Sequence, residues 1–419
     1  MKVGVKQKMK LKTVSGTTLA LLLIGILMLV IGILTLRFNV QKVETGKPQY
    51  YLEPYVTFAN PTTERVRFET IENVNFIVEY GTTLAYGQSI GNSTFGTMHE
   101  INITGLQPNT LYYYKVTITD SNGECNNNFS STFKSATNEN LSFTFVVLGD
   151  SRADSGEGVD TDQFPTLVND AVNNYNPRFI IFTGDVVTAG GNEYDAIRDA
   201  WKTYTDIMAN ISDHIPIFNA VGNHENIRNS DALLRYREVW MHPQNGDGES
   251  GYYDELAYWF EFGKSLFVFI NTEEPSYSPR IASNQLIWLN NTLQKQGYAY
   301  KFVFFHRPVF GSNRTGTISK EFPSDATQLD QMFSENNVTV VFCGHDHYYC
   351  YNTTQSNQKY VITGGAGAPL RDNSTCAIGT SFKEYHYLVV NATSTTANIS
   401  MIDINGNIRY SFLIDAVPT

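Results

Sequence analysis

The chain has 419 residues, with 30 basic and 41 acidic side chains and a formal net charge of −11 at pH 7. Such a negative balance repels polyanions, so it excludes a nucleic-acid-binding role and favours small substrates. The four cysteines, Cys125, Cys343, Cys350 and Cys376, are too few and too widely spaced for a disulfide scaffold, and none forms a CxxC zinc pair.

The amino terminus begins with a lysine-rich segment, residues 1–16, and continues with an uncharged apolar run at residues 17–36. A run of about twenty apolar residues is long enough to cross a hydrocarbon core of about 30 Å. We therefore predict a transmembrane signal anchor, rather than a cleaved signal peptide with a shorter core and a small-residue cleavage site. Because the lysines stay on the cytoplasmic side, the chain is expected to be a single-pass protein of the cell membrane with its body outside the cytoplasm.

Two further features favour an exported body. The first 38 residues contain six basic and no acidic residues, so the remainder has 24 basic against 41 acidic residues and a net charge of −17. The chain also contains twelve Asn-x-Ser/Thr sequons, which are potential glycan acceptors, although an Asn- and Thr-rich chain produces some by chance.

Residues 48–137 read as a separate all-β unit. Apolar and polar residues alternate at 74–80 and 99–103, Gly-rich turns separate these segments, and no helical period is evident. The pattern is typical of a β-sandwich. The segment 105–114 resembles the corner of a fibronectin type III domain, where a tyrosine hydroxyl binds upstream backbone, and Tyr112 is the candidate for that role. This unit is interpreted either as a spacer from the membrane or as a contributor to substrate binding.

From residue 143 onwards, five apolar runs each lead into metal-binding side chains. These are Asp150 after 143–148, Asp185 after 179–183, Asn223, His224 and Glu225 after 215–221, His306 after 302–305, and His345 and His347 after 338–343. Strands of open α/β sheets present functional groups at their carboxyl ends, so the runs predict one shared crevice.

The residue types indicate a centre for two divalent or trivalent cations, which needs hard oxygen and imidazole ligands and a bridging carboxylate. Asp185 is the candidate bridge. Asp150 and His347 are assigned to one metal ion, and Asn223, His306 and His345 to the other. The ions would activate water and neutralise a phosphoryl oxygen. The neighbouring His224 would face the substrate and either protonate the leaving oxygen or stabilise the charge that forms on it.

The ordered motifs GD, GD, GNHE, H and GHDH resemble those of the calcineurin-like metallophosphoesterases over about residues 141–414. In the purple acid phosphatase branch of that family, a fibronectin-like domain precedes the catalytic domain, as the order of parts suggests here. The resemblance implies hydrolysis of small phosphate esters and a centre of iron, manganese or zinc.

One departure from the family pattern concerns the first metal site. Family members carry a histidine two residues after the first aspartate or, in the purple branch, a tyrosine three residues after the second. This chain has Arg152 and Thr188 there. The site of Asp150, Asp185 and His347 is therefore expected to be weaker. Arg152 is interpreted either as a substrate-binding and catalytic residue, since its planar fork fits phosphate, or as a salt-bridged loop residue.

The fold class expected for residues 141–414 is α/β (α+β), a sandwich of two mixed β-sheets flanked by helices. Four helices are predicted, at 162–175, 193–211, 283–296 with Ser283 as its cap, and 325–336. The acceptor Glu225 either polarises His224 or caps a local turn. Cys350 and Cys376 flank the last loops of the sheet and could pair outside the cell, whereas Cys343 is expected to be a buried thiol.

Together these features predict a membrane-anchored, extracytoplasmic, metal-dependent phosphoesterase. Arg152 leaves one alternative from another class, a cell-surface binding or adhesion protein with a degenerate site. A binding protein has no need for the other ligand positions and His224, so the enzyme is preferred. The sequence does not decide between monoester and diester substrates, nor does it give the oligomeric state.

Overall fold

The computed structural model describes residues 47–418, apart from 124–125, 154–155, 157, 190–192, 226, 247–253, 274–280, 311–325, 373–375 and 377–378. The predicted basic tail and signal anchor, residues 1–36, lie outside this range. Within the described part of the chain, no helix combines the length and the apolar character needed to span a membrane.

The amino-terminal part is all β. Its strands are β1 (Tyr50–Asn60), β2 (Thr63–Gly81), β3 (Gln88–Thr104), β4 (Leu111–Asp120) and β5 (Asn126–Lys134). All five are hydrogen-bonded into one sheet, whereas the sequence pattern predicted a sandwich of two. The reason is the 19-residue strand β2, which pairs with β1, β3 and β4 and has irregular pairing with β3 between Glu69 and Val74.

The predicted tyrosine corner is present. The hydroxyl of Tyr112 accepts a hydrogen bond from the backbone N–H of Gln107 at 2.9 Å, which ties β4 to the turn before it. The ring of Tyr112 stacks on Phe133 of β5 with centroids 5.4 Å apart. The prediction of this contact for Tyr112 is confirmed.

The carboxyl-terminal part contains two mixed sheets. Its strands are β6 (Phe143–Leu148), β7 (Ile180–Phe182), β8 (Ile217–Asn219), β9 (Tyr258–Phe262), β10 (Ser265–Phe269), β11 (Tyr300–Phe304), β12 (Val340–Cys343), β13 (Tyr349–Thr353), β14 (Lys359–Thr363), β15 (Thr380–Phe382), β16 (His386–Ala392), β17 (Thr396–Asp403) and β18 (Ile408–Asp415). One sheet has the order β18-β17-β16-β6-β7-β8 and the other β15-β13-β14-β12-β11-β10-β9. Each contains parallel and antiparallel pairs, so the predicted mixed sandwich is confirmed.

Aromatic side chains fill the space between the two sheets. Phe145 of β6 meets Phe267 of β10 and Phe302 of β11, each at a centroid distance of 5.3 Å. All three are fully buried. Further apolar clusters cover the outer faces of the sheets, where the helices pack.

The helices of the described chain are α1 (Phe164–Tyr175), α2 (Tyr194–Ser212), α3 (Ser230–Val239), α4 (Ser283–Leu293) and α5 (Ala326–Glu335). Four match the predicted segments. The prediction that Ser283 caps α4 was wrong, because Ala282 occupies the cap position and no side chain caps that end. Helix α3 was not predicted, although Asn229 caps it by accepting from the N–H groups of Asp231 and Ala232.

The two parts share an extensive interface. The ring of Phe58 from β1 lies among Phe179, Phe218 and Phe260 of the catalytic part, at centroid distances of 5.0 to 5.9 Å. The guanidinium of Arg67 donates to the carbonyl oxygens of Arg237, Glu238 and Trp240, at 2.6, 2.8 and 2.9 Å, where α3 ends. The carboxylate of Glu69 binds Arg198 of α2 and Arg235 of α3.

Candidate metal centre

The predicted site residues come together where the central strands end. Asp150 follows β6, Asp185 follows β7, Asn223 follows β8, His306 follows β11, and His345 and His347 follow β12. Backbone hydrogen bonds link these loops, since the N–H of Asp150 donates to Gly184 at 3.0 Å and that of Gly344 donates to His306 at 2.9 Å. The two sheets therefore supply their ligands from facing edges of the sandwich.

The glycines beside the ligands allow this close approach. A Cβ on Gly222 would lie 2.2 Å from the backbone nitrogen of Asp185, and one on Gly344 would lie 2.6 Å from Asp150 Oδ2. A Cβ on Gly149 would lie 2.1 Å from Thr183 Oγ1. These distances are shorter than any side chain tolerates, so only glycine fits at these positions.

One group of ligand atoms gathers around His306. Its Nε2 lies 3.3 Å from Asp185 Oδ1, 3.2 Å from Asn223 Oδ1 and 3.2 Å from Nδ1 of His345. The other ring nitrogen of His306, Nδ1, is 2.9 Å from the carbonyl oxygen of Thr183 and donates to it in the neutral ring, which leaves Nε2 as the ligand nitrogen. Ligand atoms of Asp185, His306 and His345 all lie within 4.8 Å of one another.

A second, smaller group is formed by Asp150 and His347. The distance from Asp150 Oδ1 to His347 Nε2 is 3.4 Å, and both side chains are buried. His347 Nδ1 lies 2.8 Å from the carbonyl oxygen of Pro369, which orients the ring, and Asp150 Oδ2 accepts the N–H of His345 at 2.8 Å. Within the described residues, Oδ1 of Asp150 is buried without a hydrogen-bond partner.

These donor sets fit metal ions. Carboxylate and amide oxygens converge with imidazole nitrogens whose outer N–H groups are held by backbone carbonyls, the arrangement that protein metal sites use. The unpartnered Oδ1 of Asp150 is an acceptor without a donor, which a cation satisfies. The group around His306 offers four ligand atoms and the group of Asp150 and His347 fewer.

The electrostatics of the metal-free site are those of a charged pair. Burial alone would raise the pKa of Asp185, but the charge and hydrogen bond of His306 hold the pKa of this carboxyl well below its usual range. Burial opposes the charged form of His306, yet Asp185 and Asp150 outweigh it and raise the pKa of His306 to about 10.

His224 lies at the edge of the site. Its Nε2 is 3.9 Å from Asp185 Oδ2, and a third of its side chain is exposed, at 33%. Nδ1 lies 3.5 Å from the hydroxyl of Thr188, and the backbone N–H donates to Asp185 Oδ1 at 2.8 Å. Burial lowers the pKa of His224 despite the charge of Asp185. His224 therefore lies beside the ligand cluster and is partly exposed to solvent.

The position of Glu225 decides between its two interpretations. Its carboxylate accepts hydrogen bonds from the N–H groups of Gly222 at 2.6 Å, Asp185 at 3.1 Å and Val186 at 2.6 Å. The carboxylate therefore caps the turns that carry Asp185 and Asn223.

Arg152 lies against the carboxylate of Asp185. Its Nε is 3.6 Å from Asp185 Oδ2, and the residue is only 9% exposed. The guanidinium is thus buried beside a carboxylate of the centre. Arg307 was not predicted as a site residue. Its Nη1 lies 3.4 Å from His345 Nε2, and its Nε donates to Glu273 at 2.6 Å. The position of Arg307 directly after His306 is the sequence feature that could have identified it.

The two cysteines near the site form a disulfide. Cys350 of β13 is bonded to Cys376, with Cα atoms 5.9 Å apart. The bond closes a loop that contains Pro369, the backbone partner of His347. Cys343 of β12 is a buried thiol, and burial raises its pKa well above the usual range.

Comparison with known proteins agrees with this geometry. Residues 143–349 match the calcineurin-like phosphoesterase family, and residues 54–137 match the purple acid phosphatase N-terminal domain. The chain is 23% identical over 322 residues to the protein named probable purple acid phosphatase 20 of Arabidopsis thaliana, covering 72% of this chain and 69% of that protein. It is 24% identical to Fe(3+)-Zn(2+) purple acid phosphatase 12 of the same plant, covering 68% of this chain and 58% of that protein.

A solved structure shares the fold. It is the purple acid phosphatase PPD1 from yellow lupin (Lupinus luteus) seeds, with a TM-score of 0.72 at 16% identity, covering 88% of this chain and 74% of the lupin chain. The similarity thus extends over the amino-terminal sheet as well as the catalytic sandwich. The chain therefore carries a calcineurin-like phosphoesterase domain, preceded by the N-terminal domain of purple acid phosphatases.

Proposed function

We propose that the protein hydrolyses small phosphate esters at the centre formed by Asp150, Asp185, Asn223, His306, His345 and His347. The observation that carries this proposal is the convergence of three ligand atoms on His306 Nε2, within 3.2 to 3.3 Å, from loops of both sheets. Metal ions bound there supply Lewis-acid activation of water and neutralise charge on the phosphoryl oxygens.

The roles of the protein side chains follow from their positions. His224 stands beside the centre with a third of its side chain exposed, so it can reach a bound substrate and donate a proton to the leaving oxygen. Asn223 and Arg152 present an amide and a guanidinium beside the ligands, and the guanidinium fits two phosphoryl oxygens at once. Glu225 and Thr183 hold the loops and the His306 ring in place.

The metals proposed are iron, manganese or zinc, because imidazole and carboxylate ligands suit these ions. The iron–tyrosinate chromophore of purple enzymes is not expected, since Thr188 stands where the family pattern has the tyrosine. One relative is named as an Fe(3+)-Zn(2+) enzyme, which supports iron and zinc as candidate ions for this site.

The proposed location is the outer face of the cell membrane, with residues 1–16 in the cytoplasm, residues 17–36 as the anchor, and residues 48–137 and 141–414 as two outward-facing domains. The support is the apolar run between lysines and a negatively charged body, together with the disulfide of Cys350 and Cys376, a bond that persists in oxidising compartments. Protease treatment of intact cells tests this, because an outward body is digested and a cytoplasmic one is protected.

The test of function uses the full chain in detergent with para-nitrophenyl phosphate and its bis-ester, in the presence of manganese, zinc or iron. Turnover of either substrate supports a phosphoesterase, and the ratio of the two distinguishes monoester from diester preference. No turnover with any metal would favour the alternative of a surface binding protein with a degenerate site.

Two variants separate metal binding from proton transfer. His306→Ala removes the nitrogen at the centre of the ligand cluster, so both bound metal and activity are expected to be lost. His224→Ala is expected to keep its metal and to lose about 10²- to 10⁴-fold in kcat, the usual contribution of a general acid. Elemental analysis beside the rate measurement checks this, and equal metal loss in both variants would contradict the assigned roles.

A further inference from the structure

The two groups of ligand atoms differ in number. Around His306, four atoms from four residues face one another: Asp185 Oδ1, Asn223 Oδ1, His306 Nε2 and His345 Nδ1. In the second group, the described residues bring together only Asp150 Oδ1 and His347 Nε2, at 3.4 Å. If Asp185 also binds a cation held by Asp150 and His347, the oxygen it offers is Oδ2, because its Oδ1 faces His306.

That oxygen already faces a positive charge. The Nε atom of Arg152 lies 3.6 Å from Asp185 Oδ2, whereas Oδ1 of the same carboxylate faces His306. A guanidinium is always protonated, so a metal ion that bound Oδ2 would meet a fixed like charge in a buried place. Such repulsion does not affect the four-atom group in the same way, because Arg152 lies on the Oδ2 side.

The backbone holds Arg152 in this position. Its N–H donates to the carbonyl oxygen of Asp185 at 3.1 Å, and its Nη1 donates to the carbonyl oxygen of Ala153 at 3.0 Å. The residue also forms a bridge with Val159. Among the described residues, Nε of Arg152 is buried without a hydrogen-bond partner, and it lies 3.6 Å from Asp185 Oδ2.

We propose that the protein keeps one metal ion tightly, in the site of Asp185, Asn223, His306 and His345, and that Arg152 takes the place of the second cation beside Asp185 Oδ2. This inference rests on the proposed function, because it concerns the same centre. It gives the chain a mixed centre of one metal ion and one guanidinium. The Asp150 and His347 site then binds a metal ion only weakly.

Metal stoichiometry tests the inference without measuring activity. The full chain in detergent is loaded with Mn²⁺, dialysed and analysed for metal content, and we expect one ion per chain. A Mn²⁺ titration should show a second ion binding at least about 10- to 100-fold more weakly than the first. The electron paramagnetic resonance spectrum should show the resolved hyperfine pattern of an isolated Mn²⁺ ion, whereas two equally tight ions would give a coupled spectrum and overturn the inference.

Two substitutions at one position test the part of Arg152. Arg152→Gln removes the charge at similar size, so the dialysed protein should retain a second ion and show the coupled spectrum. Arg152→Lys keeps the charge and should retain one ion. If Arg152→Gln still retained a single ion, the role of the guanidinium would be overturned. The titration of the wild-type chain does not involve the variants, so it tests the one-ion prediction even if a variant fails to fold.

The outcomes also separate this inference from the proposed function. Two tight ions together with hydrolysis of para-nitrophenyl phosphate would overturn the inference and leave the function standing. One tight ion without hydrolysis in the presence of any metal would overturn the proposed function and leave the inference standing. A wild-type chain that binds no metal would overturn both.

Discussion

Three of the proposed metal ligands have a left-handed backbone. The φ angles are 60° at Asp150, 52° at Asp185 and 69° at His345. Residues other than glycine rarely adopt this conformation, and each instance costs on the order of 1–3 kcal/mol. The conformation turns each side chain out of its strand direction and towards the common centre, so the strain is part of how the site is assembled.

Gly184, the residue before Asp185, is equally constrained. Gly184 has φ of 93°, and a Cβ there would lie 2.7 Å from His306 Nδ1 and 2.9 Å from the backbone of Gly222. Gly184→Ala is therefore expected to displace the His306 ring and to lower metal affinity by at least about tenfold. Calorimetric titration with Mn²⁺ measures this change.

The chain offers a matched control for that substitution. Gly297 has nearly the same backbone conformation, with φ of 90°, but no atom lies within 4 Å of a Cβ placed there. Gly297→Ala imposes the same conformational strain without the contact, so it should reduce thermal stability and leave metal affinity unchanged. Equal metal affinity in the two variants would show that the close approach at Gly184 is unimportant.

At the scale of elements, one carboxylate joins the loops after β7 and β8. Glu225 accepts the N–H groups of Gly222, Asp185 and Val186, and all of these groups are buried. Glu225→Gln leaves a single acceptor oxygen and turns an amide N–H₂ towards a backbone donor. An unsatisfied buried donor costs about 1–3 kcal/mol, so the free energy of unfolding should fall by about that amount.

Denaturant unfolding of the metal-free protein checks the Glu225 prediction. The exposed Glu335 of α5 serves as the control, since Glu335→Gln changes the same group on a solvent-facing position. If both substitutions have the same small effect, the carboxylate does not join the loops.

The sequence predicted the order and the ligand types of the site because strand ends bring ligands together whatever the details of packing. It did not predict α3, because that helix has a polar surface and few buried apolar residues, among them Ala232, Tyr236 and Val239. So few apolar residues give only a weak helical periodicity. Strands β9 and β10 were also missed. Contacts such as those of Glu225 depend on backbone atoms of distant loops, and a sequence pattern does not carry that information.

At the scale of the whole molecule, a carboxyl group is buried close to the interface of the two parts. Glu64 of β2 is fully buried, and neither of its oxygens has a hydrogen-bond partner in the described chain. Burial raises the pKa of Glu64 well above its usual range, although the charge of Arg178 opposes the shift. Arg178 itself lies in the catalytic part and donates to Ser135 at 2.8 Å.

This buried carboxyl makes stability depend on pH. In the unfolded chain Glu64 ionises at about pH 4.3, like a free glutamate. In the folded protein the raised pKa keeps the Glu64 carboxyl protonated above that pH. The folded state therefore binds more protons above that pH, and the free energy of unfolding falls as pH rises towards the raised pKa. Glu64→Gln stays neutral, so its stability relative to the wild type should be higher at pH 8 than at pH 5.

Thermal unfolding at the two pH values measures the effect. Glu139→Gln is the control, because Glu139 is exposed and should give the same difference from wild type at both values. A Glu64→Gln variant whose difference from the wild type does not change with pH would mean that Glu64 is ionised in the folded protein.

The position of Phe58 determines how the protein can be divided for study. This ring belongs to the amino-terminal sheet by sequence, yet its neighbours are aromatic rings of the catalytic sandwich. A recombinant fragment that started after residue 137 would expose to solvent an apolar surface lined by phenylalanines, and such surfaces promote self-association. Crystallographers and enzymologists should therefore clone the two folds as a single piece.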